Sequence, residues 1–220
     1  MIFLDVAWVV AAFVLSGIAL EALDVPRPGT FAVVVAVVVA TWRLRRNAMR
    51  WRDVGLRRPA RWGRTLLWAL AAYALVIAAN FAIVIPIAQR LGWAPTDVAK
   101  LGDLAGNAPL LAGWLAIVWT TAAFGEEMLF RGFLQTRLMA LFRGGAVGDA
   151  AAIVVQAILF GLPHLGFGTR GAVTAGVVGV VYGIVYRFNG RNLWPLIIAH
   201  GLTDTVSLVA LYFGAAKYMT

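Results

Sequence analysis

The chain contains no cysteine, only two histidines and few charged residues. Without cysteine it can form no disulfide bond, thiol nucleophile or thiolate-bound metal. Charged residues make up 13% of the 220 positions, whereas an ordinary globular domain carries about 25%. So few charges cannot cover the surface of a typical soluble domain or keep a tail disordered, so both classes are excluded.

Hydrophobic residues, by contrast, make up 62% of the chain and occur in long runs. A helix needs about 17–25 predominantly apolar residues to cross a bilayer. Candidate runs lie near residues 2–20, 29–42, 65–88, 109–142, 149–167, 171–187 and 192–213. Pro26 and Pro28 form a tight link between the first two runs, because proline ends a helix. The sequence therefore predicts an all-α fold, a polytopic integral membrane helical bundle of about seven to eight transmembrane helices.

The formal net charge of +9 raises nucleic acid as a possible partner, but the arginines lie between the apolar runs. Nine of them fall in a basic interfacial loop, residues 43–64: Arg43, Arg45, Arg46, Arg50, Arg52, Arg57, Arg58, Arg61 and Arg64. Four more fall on the same side when successive runs alternate in direction: Arg137, Arg143, Arg187 and Arg191. This bias favours a lipid bilayer over nucleic acid as the partner, with the N-terminus and loop 43–64 in the cytoplasm.

Three groups of ionisable residues interrupt the apolar runs, where each such side chain costs about 2.5–3.5 kcal/mol to insert. The first group is Glu126 and Glu127 with Arg131. Glu127 and Arg131 are four residues apart on a helix and can form an ion pair, whereas Glu126 lies about 100° round the helix from Glu127. We therefore assign the ion pair to Glu127 and the reaction to Glu126. The alternative is a helix that ends at the interface, with all three side chains in water.

The other two groups contain both histidines of the chain. His164 follows Phe160 by one turn, and the intervening glycine and proline loosen the helix, which a membrane tolerates where the backbone lines a cavity. His200 and Asp204 share a helix face, a spacing that suits metal ligation or two polar contacts to one substrate atom. A structural hydrogen bond to a neighbouring helix is the alternative for each group.

The three groups do not all lie at the same depth in the bundle when each is measured from the nearest connection between helices. Glu126 and His164 lie about 22–26 Å from the turn that joins their helices. His200 lies only about 10–14 Å beyond the connection 187–191. If the three groups meet, the sequence requires a deeper connection, a tilted helix or a helix broken at Pro195.

Together the three motifs resemble the CPBP family of intramembrane proteases, which includes the type II CAAX prenyl endopeptidases and bacterial relatives linked to bacteriocin self-protection. The family pattern is Glu-Glu-x-x-x-Arg, Phe-x-x-x-His and His-x-x-x-Asn or Asp on separate helices, and the chain carries all three in this order. The resemblance covers roughly residues 114–213, within a motif-bearing core of about 109–213 in a single membrane domain, 1–220. The prenyl-protease branch favours asparagine at the last position, so Asp204 places the chain among the broader bacterial members.

The resemblance implies an intramembrane endopeptidase that hydrolyses a peptide bond at the membrane of a bacterial cell, with a peptide or protein as substrate. In that reading Glu126 and His164 activate the attacking water. His200 and Asp204 stabilise the developing oxyanion, and the same four side chains are the candidate metal ligands. Two histidines with carboxylates would suit zinc or another divalent metal, but the same residues can also activate water unaided. Both possibilities stay open.

The resemblance also implies three supporting residues. Glu127 and Arg131 would hold their helix in place, and Phe160 would pack beside the site. Two other functions compete with hydrolysis. One is a non-catalytic membrane protein of the same fold, acting in bacteriocin self-immunity or as a partner-binding scaffold. The other is a small transporter or metal carrier, which would be expected to show an internal repeat, and none is evident in the sequence.

Overall fold

The computed structural model describes residues 2–214, so the two ends of the predicted domain, residue 1 and residues 215–220, lie outside the described residues. The described part is helical and contains no strand. Its seven main helices are α1 (Ile2–Ala22), α2 (Pro28–Arg46), α3 (Trp62–Leu91), α4 (Ala108–Leu141), α5 (Gly145–Gly161), α6 (Gly168–Phe188) and α7 (Trp194–Tyr212). Three 3₁₀ turns connect some of them: Trp51–Val54, Ala99–Leu101 and Leu162–Phe167.

Six helical segments of the described chain are long and apolar enough to cross a membrane. One of them, Gly145–Phe188, has 44 residues and is divided by the turn Leu162–Phe167 into α5 and α6. The predicted all-α membrane bundle is confirmed, and the predicted number of seven to eight spanning helices is close to this count.

The outer surface of the bundle is apolar over much of its area. Large exposed hydrophobic side chains occur on several helices, for example Leu15, Leu67, Phe81 and Phe188. Soluble monomers rarely expose apolar patches of more than a few hundred Å². Such a surface suits contact with lipid chains, and the protein is an integral membrane protein.

The helices alternate in direction, which gives the bundle two distinct ends. At the basic end lie loops 47–61, 142–144 and 189–193. At the opposite end lie loops 23–27, 92–107 and 162–167. Backbone hydrogen bonds hold the opposite end together, from Asp97 N to Phe167 O (3.0 Å) and from Gly106 N to Tyr212 O (3.0 Å).

A buried ionic cluster fastens the basic end. Asp5 is fully buried and accepts hydrogen bonds from Arg43 Nε (2.7 Å), Asn47 Nδ2 (3.1 Å) and Arg137 Nη2 (2.8 Å). Two of the arginines that the sequence assigns only to the charge bias of the membrane therefore neutralise an acid inside the bundle. This contact fixes the start of α1 against the ends of α2 and α4.

Helices α5 and α6 form an antiparallel hairpin whose small residues allow the two backbones to approach closely. A Cβ added at Gly179 would lie 2.8 Å from the Cα of Ala157, and one added at Gly161 would lie 2.9 Å from the carbonyl oxygen of Ala172. Close approach between small residues is a common way of packing membrane helices. It holds the Leu162–Phe167 turn, which carries His164, in place against α6.

The connection between α6 and α7 runs deep into the bundle. Leu193 at its end is fully buried, donates its N–H to Gly55 O (3.0 Å), and packs so closely on α4 that a Cβ at Gly132 would lie 3.1 Å from it. Helix α7 therefore begins beside Gly132, more than two turns inside the end of α4, and this deeper start removes the mismatch in depth. The alternative of a break at Pro195 is wrong, because Pro195 lies in the first turn of α7, where proline is well tolerated.

Candidate active site

Helix α4 carries the paired acids on an unusual stretch of backbone. Its residues Val118–Gln135 form a π-helix, with α-helical segments on both sides. Wide turns of this kind are rare and frequently occur at functional sites. The second half of the stretch, from Glu127 to Gln135, is buried, so the acidic motif faces the inside of the bundle.

The Glu127–Arg131 ion pair lies at the centre of the protein. Both side chains are fully buried, and Arg131 Nη1 donates to Glu127 Oε1 at 2.8 Å. The guanidinium carbon of Arg131 also lies 4.3 Å from the ring centre of Phe160 and 5.3 Å from that of Tyr182. The alternative in which this helix ends in water does not apply to these two residues. Aromatic faces and the carboxylate offset the cost of burying the guanidinium.

His200 connects all three carboxylates of the site. Its Nδ1 lies 2.9 Å from Glu127 Oε1, while its Nε2 lies 3.5 Å from Asp204 Oδ2 and 4.0 Å from Glu126 Oε2. An ionised carboxylate only accepts hydrogen bonds, so Nδ1 carries a proton and donates it to Glu127. Nε2 is thereby directed toward Glu126 and Asp204.

The two adjacent glutamates use opposite edges of the same imidazole ring. The helical offset between Glu126 and Glu127 predicts that they point in different directions, and the structure shows how both can still meet His200. The ring presents one nitrogen to each of them. Glu126 keeps 19% of its side chain exposed and Asp204 keeps 33%, whereas Glu127 is sealed. The exposed pair is therefore the part of the cluster that a substrate can reach.

His164 lies in the Leu162–Phe167 turn, one helical turn beyond Phe160. Its Nδ1 donates to the backbone oxygen of Phe160 at 2.9 Å, which leaves Nε2 free to accept a proton. The ring of Phe160 contacts both histidines, with centres 5.1 Å from His164 and 6.1 Å from His200. Within residues 2–214 no hydrogen bond or ion pair joins His164 to Glu126. Phe160 therefore links the second motif to the other two.

Several residues that surround the site are not predicted by the sequence motifs. Tyr182 is fully buried, its ring centre lies 5.9 Å from that of His200, and its hydroxyl lies 3.3 Å from Thr203 Oγ1. Trp119 covers the other side of α7, where a Cβ at Gly201 would lie 2.6 Å from its ring. Only the position of Gly201, next to a histidine in the third motif, could have indicated such a close neighbour.

The described residues contain no ready-made binding site for the predicted metal. Among the described residues, no group of three or more His, Asp or Glu side chains has an arrangement that could hold a metal ion. The Nδ1 atoms of His164 and His200 are both engaged within the protein. Zinc, or another divalent metal, stays a prediction.

The fold and the site together define an all-helical membrane protein with a buried acid–histidine cluster. The sequence model of the family described as "Type II CAAX prenyl endopeptidase Rce1-like" matches residues 108–206. The matched segment contains all three motifs, and the match agrees with the family resemblance of these motifs. No curated protein and no solved structure matches the chain.

Proposed function

We propose that the protein is an intramembrane endopeptidase that hydrolyses a peptide bond at the membrane, with Glu126, His164, His200 and Asp204 as catalytic residues. The observation that carries this proposal is the meeting of Glu126, Asp204 and His200 Nε2 within 4.0 Å at the accessible side of a sealed Glu127–Arg131 ion pair. A general base beside a potential hydrogen-bond donor is the arrangement that peptide hydrolysis by water needs.

In the proposed reaction, Glu126 takes a proton from a water molecule whose oxygen attacks the scissile carbonyl carbon. His164 offers a second acceptor, since its Nε2 is not used in the hydrogen bond to Phe160. The carbonyl becomes a tetrahedral oxyanion. When it collapses, the carbon–nitrogen bond breaks, and the proton held by Glu126 passes to the leaving amine. Atoms and charge balance with water as the sole co-reactant.

The role of His200 depends on its protonation. With Nδ1–H donated to Glu127, His200 can donate from Nε2 to the oxyanion only when it is an imidazolium. Three carboxylates within 4.0 Å favour that charge: Glu126, Glu127 and Asp204. Asp204 then acts by holding the Nε2–H before the substrate arrives, because an ionised aspartate cannot itself donate to an oxyanion.

The proposal is tested by peptide turnover on the purified full chain in lipid vesicles. We expect Glu126→Gln, His164→Ala and His200→Ala each to lower turnover by at least about 100-fold, the usual contribution of a general base or acid. Glu21→Gln is the matched control for charge, because Glu21 is exposed near the end of α1, and it should leave turnover unchanged.

Equal turnover by the wild type and the three site variants would contradict the catalytic assignment. A wild type that folds but cleaves none of a broad set of membrane-bound peptides would instead favour the alternative, a non-catalytic partner-binding protein of the same fold. Metal analysis of the same preparations, with and without a chelator, tests the predicted zinc independently of the residue assignments.

A further inference from the structure

The basic end contains a cavity that is separate from the site on α4 and α7. It has a volume of about 770 Å³ and lies between the end of α2 and the turn Trp51–Val54. Its lining combines basic and apolar side chains: Thr41, Leu44, Arg45, Ala48, Met49, Arg50, Trp51 and Arg52. Cavities of about 300–1,000 Å³ are typical of small-ligand sites.

The charge of this cavity is strongly positive. Arg45, Arg50 and Arg52 are exposed at its rim. Asp53 is the nearest acid along the chain, and it is already engaged: it accepts the backbone N–H of Arg50 (2.7 Å) and lies 3.6 Å from Arg52 Nε. Among residues 2–214, Arg45 and Arg50 have no ion-pair partner. The cavity therefore presents guanidinium groups that can bind an anion.

The inner part of the cavity is lined mainly by apolar side chains. Leu44 is buried, and Met49 is partly buried beside it. Trp51 is fixed by a hydrogen bond from its Nε1 to Thr41 Oγ1 at 2.9 Å. A ligand that fits must carry an anionic group for the rim and an apolar part for this inner surface.

The position of the cavity indicates where such a ligand comes from. It lies at the end of α2, one of the helices long enough to cross a membrane. Next to it, the guanidinium groups of Arg43 and Arg46 each lie 5.1 Å from the ring centre of Trp42. Tryptophan and arginine together are typical of the level of the lipid headgroups.

We propose that this cavity binds the headgroup of an anionic phospholipid. Arg45, Arg50 and Arg52 would contact the phosphate, since guanidinium groups match phosphate oxygens in geometry and charge. Leu44 and Met49 would contact the glycerol and the first methylene groups of the chains. Clusters of basic residues at the end of a membrane helix commonly recognise anionic lipids.

The experiment uses native mass spectrometry of the full chain in detergent, titrated with phosphatidylglycerol or with phosphatidylcholine. We expect one phosphatidylglycerol to be retained in preference to phosphatidylcholine. The double variant Arg45→Gln, Arg50→Gln should lower that affinity roughly 30-fold, since each basic residue near an anionic lipid contributes about fivefold. The matched control is Arg58→Gln, Arg61→Gln, which removes the same charge outside the cavity and should change the affinity less than about threefold.

Three results would overturn the proposal. Equal retention of the two lipids would show that charge is not recognised. An equal loss in the control variant would show that net charge, and not the cavity, attracts the lipid. Displacement of phosphatidylglycerol by millimolar inorganic phosphate, or tighter binding of a short RNA, would assign the arginines to a soluble anion or to nucleic acid.

Discussion

Glu127 does more at the residue scale than hold its own helix. One carboxylate oxygen accepts hydrogen bonds from both Arg131 and His200, while the second has no hydrogen-bond partner among the described residues. The Arg131 contact is local, four residues away, and helix geometry alone predicts it. The His200 contact spans 73 positions, so no spacing rule could have predicted it. Glu127 therefore holds the ring of His200 as well as its own helix.

A double-mutant comparison separates the two contacts of Glu127. Glu127→Leu should destabilise the protein by about 3–5 kcal/mol, because it leaves a buried arginine unpaired. Adding Arg131→Met should restore most of the stability but no activity, because His200 still lacks the acceptor for its Nδ1–H. Denaturant unfolding and peptide turnover measure the two effects. Recovery of both stability and turnover in the double variant would mean that Glu127 has a structural role only.

At the scale of elements, the α5–α6 hairpin sets the position of the second motif. The sequence predicts two apolar runs and a loosened turn at His164, and both are present. It does not predict how closely the helices approach, because that depends on which faces of two helices meet. The small side chains of Ala157 and Gly179 turn out to lie at the contact. The sequence also does not predict how deep in the bundle α7 begins. The buried connection that ends at Leu193 is too short to show a periodic pattern of hydrophobic residues.

Gly179→Ala tests whether this close approach positions His164. The added methyl group would lie 2.8 Å from Ala157 Cα, so α5 and α6 must separate, at a cost of about 1–3 kcal/mol. Turnover should fall with stability because α5 carries Phe160 and leads into His164. Gly113→Ala in α4 is the control, since its methyl group would meet no neighbouring atom within 4 Å. Thermal unfolding and turnover that are equal in the two variants would contradict the proposed role of the hairpin.

At the scale of the whole molecule, the difference in arginine content between the two ends of the bundle predicts its orientation in the membrane. The arginine bias predicts that the basic end lies in the cytoplasm, and the alternating helices then predict that loop 92–107 lies on the other side. Because the chain has no cysteine, single cysteines can report on this directly. In intact cells, a membrane-impermeant maleimide should label Asp103→Cys but label Ala60→Cys only after the membrane is opened. The reverse pattern of labelling would invert the predicted topology.

The deep connection that ends at Leu193 also makes the length of a loop a determinant of where the third motif lies. Five residues, 189–193, join α6 to α7, and a fully extended chain of this length spans at most about 17 Å. The connection is a compact turn, in which the N–H of Arg191 donates to Tyr186 O (3.0 Å) and the N–H of Leu193 donates to Gly55 O (3.0 Å). Removing one residue would disrupt this turn, and we expect it to shift α7 relative to α4 and to lengthen the contact between His200 and Glu127. The connection between α6 and α7, which carries none of the three motifs, thus determines the depth at which the third motif meets the first.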